Sequence, residues 1–444
     1  MRRFMEAYHR RWRMAATVVA SVAVAVAVLA GEARCEHRLI SQDEAAQLGL
    51  TRSWYTQVRL DAAYTHVERT VVEGDRLTVL TSAGVVQELN ALTGQTYWVA
   101  PIGNENYPSL GPAGNEKYLA ILNGSTLYVL DRKDGKPVII RTVGSAPGAA
   151  PALSEDNVFV PLVNGRMEAY PLGNQKISPW YYQSFGRAMV APLVTSESIV
   201  WTTDAGYLYV GGSNILGMRY RLETGADIVA PPAYHQPFVF VASLDGEVFA
   251  MHELSGTQRW KYSCGFPVTR AAAGVGDRVF VTSAEPALHC INATTGIGIW
   301  EAPHVDQFAA ASKDRVYAVN DLGEFVVLNA ATGATLAKIR ADRPIHALVN
   351  DQTDRVYLVS KDGMVECLHE VDMKEPMYHN PKPTPPKEEA KPATAAPPPA
   401  KAAEKPAKTP AKTKPVESTE KPKADEEKAP AKKGAAGTDA DPFG

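Results

Sequence analysis

The chain has 444 residues, 45% of them hydrophobic, and a formal net charge of −3. That length holds one large β-domain or two or three ordinary ones, and the near-neutral charge argues against a protein that must neutralise nucleic-acid phosphates. The four cysteines, Cys35, Cys264, Cys290 and Cys367, show neither CxxC spacing nor an adjacent pair, which excludes a zinc site of ordinary spacing.

Residues 1–34 read as a signal peptide or N-terminal membrane anchor. Arg2, Arg3, Arg10, Arg11 and Arg13 form a positive start, and an apolar run follows from Ala15 to Ala30. Small residues at Val28-Leu29-Ala30 and Gly31-Glu32-Ala33 offer cleavage sites, while the run is short for a spanning helix. Cys35 invites lipidation, but Arg34 stands where a small residue is needed. Export follows either way, to the periplasm or cell envelope, or to an anchored position facing outward.

The segment Trp54-Tyr55-Thr56-Gln57-Val58-Arg59-Leu60 is β-rich and precedes the first full copy of an internal repeat. The repeat, over residues 51–372, is two short strands joined by a tight turn, as in Ser243-Leu244-Asp245-Gly246-Glu247-Val248. Its turn positions are Gly84, Gly124, Gly165, Gly206, Gly246, Pro286, Gly323 and Gly363, with successive spacings of 40, 41, 41, 40, 40, 37 and 40. A period near 40 with several strands per copy predicts an all-β propeller of eight four-stranded blades. The last copy lacks its outer strand, and an open blade leaves an edge unpaired. The segment from Trp54 to Leu60 is therefore expected to complete it.

A second element recurs inside the copies: a strand, then a turn ending in Thr-Gly, then a tryptophan four residues later. It appears as Asn90-Ala91-Leu92-Thr93-Gly94 with Trp98, as Asn292-Ala293-Thr294-Thr295-Gly296 with Trp300, and as Asn329-Ala330-Ala331-Thr332-Gly333 without a tryptophan. Weaker copies include His252-Glu253-Leu254-Ser255-Gly256 with Trp260. This pattern resembles the pyrroloquinoline-quinone-type, or quinoprotein-like, propeller repeat, and within it the non-catalytic BamB-like group. The resemblance implies that Trp98, Trp260 and Trp300 dock each blade on its neighbour, with Trp180 a candidate in the third copy.

The resemblance also raises quinone-dependent catalysis. The dehydrogenases of that kind hold the quinone between a tryptophan floor and a ring of two adjacent cysteines, beside a calcium. This sequence has no adjacent cysteines. Asp204, Asp245, Asp321 and Asp362 sit in turn positions, where they shape the backbone. His235, His252, His289, His304, His346 and His369 are scattered without metal spacing. Gly211-Gly212 and Gly274-Val275-Gly276 do not open a helix and are not phosphate loops. No catalytic, cofactor-binding or metal-ligating residue is assigned, and the protein is read as not an enzyme. Cys264, Cys290 and Cys367 read as small buried strand residues, with a disulfide among them left open.

Residues 373–444 change character to Lys, Pro and Ala, and are expected to be disordered because they lack apolar periodicity. The resemblance implies a monomeric, non-catalytic scaffold that binds envelope proteins, with outer-membrane protein assembly as its specific form. The alternative is a membrane or cell-wall tether working through the basic, Pro-rich tail. A small-ligand receptor using the central channel is a third reading.

Overall fold

The computed structural model describes residues 39–341 and 344–379. The leader, Cys35 and the tail beyond residue 379 lie outside the described residues. Among those described, the strands form eight four-stranded antiparallel sheets, and no helix is long and apolar enough to cross a membrane. This is the eight-bladed propeller that the spacing of 40 predicts. We label the strands of each blade A to D, starting from the axis. Blade 1 is Val67–Glu73, Arg76–Thr81, Val85–Asn90 and Thr96–Pro101; blade 6 is Ala273–Val275, Arg278–Ser283, Ala287–Asn292 and Gly298–Pro303.

Because sequential strands run antiparallel, the AB and CD connections of every blade leave on one face and the BC and DA connections on the other. The aligned glycines are BC turns. Gly84 has φ 72° and Gly246 has φ 84°, backbone that a residue with a Cβ rarely adopts. Strands B and C alternate onto two neighbouring blades at once, so nearly all their residues are buried: Phe238–Ala242 and Val356–Ser360 are examples. Burial on both faces is why they read as continuous apolar runs rather than strict alternation.

The ring closes through the first strand, β1 (Leu50–Gln57). It pairs antiparallel with strand C of blade 8, from Leu50 opposite Glu370 to Gln57 opposite Met364, and so serves as strand D of that blade. The strand begins four residues earlier than the predicted Trp54 and is preceded by a helix that the sequence pattern did not signal. This helix, α1 (Gln42–Gln47), opens on a capping box in which Ser41 and Glu44 satisfy each other's backbone N–H groups.

The described residues also run beyond the expected boundary at residue 372. Arg355 donates to the carbonyls of Met373 and Lys374 at 2.9 and 2.6 Å. Met377 N donates to Asp354 Oδ1 at 3.0 Å and His379 N to Gln352 O at 2.9 Å. Composition marked the change at residue 373, but composition does not register a strap held through its backbone.

Candidate functional site

The recurring turn is built by side-chain capping. Asn90 Oδ1 accepts from Leu92 N and Thr93 N at 2.9 and 2.8 Å, and Asn292 and Asn329 repeat the arrangement in blades 6 and 7. The glycine that ends it has positive φ, 70° at Gly94 and 74° at Gly296. It has a second duty, because a Cβ there would collide with a tryptophan of the preceding blade. Trp98 lies over Gly135, Trp260 over Gly296 and Trp300 over Gly333. Their indole Nε1 atoms donate to Arg132 O at 3.0 Å, Ala293 O at 2.8 Å and Ala330 O at 2.8 Å.

Trp54 of β1 makes the same contact with Ala91 O at 3.0 Å and Gly94. The sequence reading missed this fourth member, although Trp54 lies in the strand assigned to ring closure. In blade 3 the link to the next blade runs through Tyr182, whose hydroxyl accepts from Gly217 N at 2.9 Å and donates to Gly212 O at 3.1 Å. Trp180 instead packs edge-on against Phe159 and Tyr182. In blade 7 the docking position holds Ala337. There Leu39, Ile40 and Leu48, on and beside α1, share a cluster with Tyr317, Phe325 and Leu358.

Replacing Trp300 by alanine is expected to cost about 3 kcal/mol, since the ring is only partly buried. Chemical denaturation would read it, and a cost near zero would remove the tryptophan from the list of blade contacts.

Around the axis, residues of blades 1, 6, 7 and 8, most of them on or beside the A strands, line a cavity of about 880 Å³. Phe280 and Phe308, stacked with centroids 4.8 Å apart, form part of its wall. His66, Glu68, Arg69, Arg270, His346 and Lys361 supply its ionisable groups. Arg270 pairs with Asp306 at 2.7 Å, and His66 Nε2 lies 3.2 Å from Glu68 Oε2. The lining contains no tryptophan and no cysteine, and its only carboxylate is that of Glu68. No group of three metal-ligating side chains exists among the described residues. This donor set does not fit a quinone held beside calcium.

The other candidates for chemistry are dispersed. Cys264, Cys290 and Cys367 are free and buried, and burial pushes each thiol up to about 12. His289 is held below the ordinary imidazole value by burial, partly offset by Glu301. Asp245 accepts from Ser243 Oγ and from Glu247 N, so it shapes its turn. Gly211 and Gly274 lie within strands, packed against Tyr182 and His235.

The BC/DA face carries exposed aromatic residues on several of its DA loops. On consecutive DA loops, Phe185 is 67% exposed and Phe266 47%, with Met189 and Val229 exposed between them. Tyr64 and Tyr107 project from two further DA loops. Aromatic residues and methionine are the types enriched at protein interfaces.

The family model described as "Outer membrane protein assembly factor BamB" matches residues 53–228, 219–309, 244–336 and 289–374. The chain belongs to this BamB family. It is 27% identical over 271 residues to the outer membrane protein assembly factor BamB of Burkholderia pseudomallei, covering 60% of this chain and 63% of that protein. A polyvinylalcohol dehydrogenase from Pseudomonas sp. is 32% identical over 143 residues, or 30% of this chain and 22% of the enzyme. The chain thus spans less than two thirds of either relative. Among solved structures, BamB from Moraxella catarrhalis superposes with a TM-score of 0.59 at 17% identity, covering 72% of this chain and 99% of that one. A computationally designed protein superposes at 0.57 with 16% identity, covering 70% and 98%. At these identities the superpositions speak to the fold.

Proposed function

We propose that the protein is a non-catalytic scaffold of the cell envelope whose BC/DA face binds other envelope proteins, with outer-membrane protein assembly as the process served. The observation that carries this reading is the arc of Phe185, Met189, Val229 and Phe266 on consecutive DA loops. Exposed phenylalanine and methionine side chains on loops mounted on a fixed scaffold are residue types enriched at protein interfaces. Membership of the BamB family supports the choice of process. In this reading Trp98, Trp260 and Trp300 are structural, holding blade to blade so that the loops keep their spacing. The channel lining, unsuited to a quinone beside calcium, supports a role without catalysis.

The test is in-cell photo-crosslinking from p-benzoylphenylalanine placed at positions 185 and 266, with position 133 on the opposite face as control. Crosslinks to envelope proteins from 185 and 266 are expected, together with their loss from position 266 when Phe185→Asp is introduced. Capture no greater than at position 133 would overturn the scaffold reading.

A further inference from the structure

The central cavity has two chemically different ends. Strand A of each blade runs from a DA loop to an AB turn, so position along the strand gives depth along the axis. In blade 1, His66, Glu68 and Arg69 lie at the DA end of Val67–Glu73, and Val71 and Val72 lie towards its AB end. In blade 8, His346 is on strand A (Ile345–Ala347) and Lys361 on the BC turn, while Leu348 and Val349 begin the AB connection. Arg270 precedes strand A of blade 6 on its DA loop. The ionisable lining thus gathers towards the BC/DA end, and the AB end is left to valine and leucine.

The AB end is also spanned by chain. The AB connection of blade 8, residues 348–355, is bonded to both neighbouring blades. Asn350 N donates to Ala309 O of blade 7 at 2.7 Å, and Gly74 N of blade 1 donates to Gln352 Oε1 at 2.8 Å. Asp351 on this connection and His379 on the strap both lie within electrostatic range of His235, three blades away on blade 5. Leu348 and Val349 therefore belong to a segment that reaches over the axis, and they give the cavity an apolar floor.

The charges at the other end do not cancel. Arg270 is paired with Asp306 and His66 with Glu68, the only carboxylate of the lining. Asp362, beside Lys361, accepts from Ser360 Oγ. Among the described residues, Arg69 and Lys361 have no ion pair or side-chain hydrogen bond. They stand on adjoining backbone, since Val67 N donates to Lys361 O at 2.9 Å. Two free cations on one wall of a cavity are donors for carboxylate or phosphate oxygens. A volume of about 880 Å³ is that of a small-molecule site.

We propose that the cavity holds a small organic anion with an apolar body, its carboxylate or phosphate oxygens at Arg69 and Lys361 and its hydrocarbon towards Leu348 and Val349. The proposal stands apart from the protein-binding reading, because calorimetry of the cavity and crosslinking from the DA loops fail separately.

The experiment is isothermal titration calorimetry on the full chain with hexyl phosphate, hexanoate and inorganic phosphate. Hexyl phosphate and hexanoate are expected to bind, the tighter of the two assigning the head group. Arg69→Gln with Lys361→Gln should weaken that binding at least about tenfold. Tm should not change, because both side chains are exposed. Lys133→Gln, on the AB/CD face, should leave binding as it is. Inorganic phosphate should bind at least about tenfold more weakly than hexyl phosphate, since it reaches none of the apolar floor. Equal affinity for the two phosphates overturns the amphipathic ligand. Silence with both hexyl compounds overturns the site, and so does binding that the double variant retains, as lysines of residues 380–444 would give.

Discussion

Deleting residues 52–61 is expected to lower the melting temperature by more than about 10 °C, the largest effect of any short change in the propeller. The segment removes most of strand D from blade 8 and with it the closure of the ring. Trp54 is lost from a cluster that contains Tyr357, Val359 and Cys367, and a buried tryptophan alone is worth about 3–5 kcal/mol. Arg52 is lost from Glu366, a carboxylate 1% exposed that would remain buried without its main cation. Strand C of blade 8 becomes an open edge. Differential scanning calorimetry on the deletion is the measurement. A melt within a degree or two of the parent would mean that closure contributes little and that seven blades and part of an eighth are self-sufficient.

Replacing Arg132 by alanine is expected to cost about 3–5 kcal/mol at neutral pH. Arg132 is 4% exposed and lies between blades 1 and 2. Its Nε is 2.7 Å from Glu88 Oε1, one terminal nitrogen is 2.9 Å from Glu73 Oε2, and the other donates to Asn115 O at 2.6 Å. Glu88 is fully buried, and its only other cation, Arg76, lies 3.7 Å away. Burial raises the Glu88 carboxyl above its ordinary value, with Arg132 and Arg76 pulling it back down. For Arg132 burial acts downward, yet Glu73 and Glu88 together outweigh it, so the guanidinium is raised. The pair is thus one in which desolvation wins on the acid and attraction wins on the base.

Removing the guanidinium leaves desolvation of Glu88 opposed by Arg76 alone, so its carboxyl rises further. A carboxyl raised on folding binds more protons in the native state than in the unfolded one between the two values. Stability from this group is therefore present at low pH and lost as pH rises through the folded value. The deficit of Arg132→Ala should be largest near pH 7 and shrink towards pH 5, as Glu88 becomes neutral. Adding Glu88→Leu should recover most of the loss, because an apolar replacement of both partners avoids the stranded charge. Urea titrations at the two pH values decide it. A deficit under about 1 kcal/mol, or one that grows on acidification, would show that Arg132 contributes nothing beyond an exposed ion pair.

The position of Arg132 illustrates what a repeat sequence conceals. In the turns of blades 1, 6 and 7 the equivalent residue is Ala91, Ala293 or Ala330, and in each its carbonyl accepts the docking indole. Arg132 provides the same carbonyl to Trp98, so the backbone role survives the change of side chain. Its guanidinium then reaches carboxylates 44 and 59 positions back along the chain, at Glu88 and Glu73. No local pattern connects those residues. The docking of Trp98, Trp260 and Trp300 was legible because glycine, turn and tryptophan recur at fixed offsets. The hydroxyl of Tyr182 and the filling role of α1 were not, because each replaces a motif where the repeat lapses.

The sequence by itself determined the number of blades, the strand order within them and the partner of the first strand. Those follow from local periodicity, from the spacing of turn glycines and from the cost of an unpaired edge, all properties that a linear text preserves. Only the tertiary structure decided which side chains share a face. Phe185 and Phe266 lie about two repeats apart in the chain yet stand on the same face of the ring, and Arg69 and Lys361, on the first and last blades, line one cavity. The ring brings every copy of a loop to one face, so surface chemistry accumulates across a distance of 40 residues per step. The same closure sets α1 and the strap at residues 373–379 on the AB/CD side, because antiparallel pairing dictates where β1 begins and where strand C of blade 8 ends.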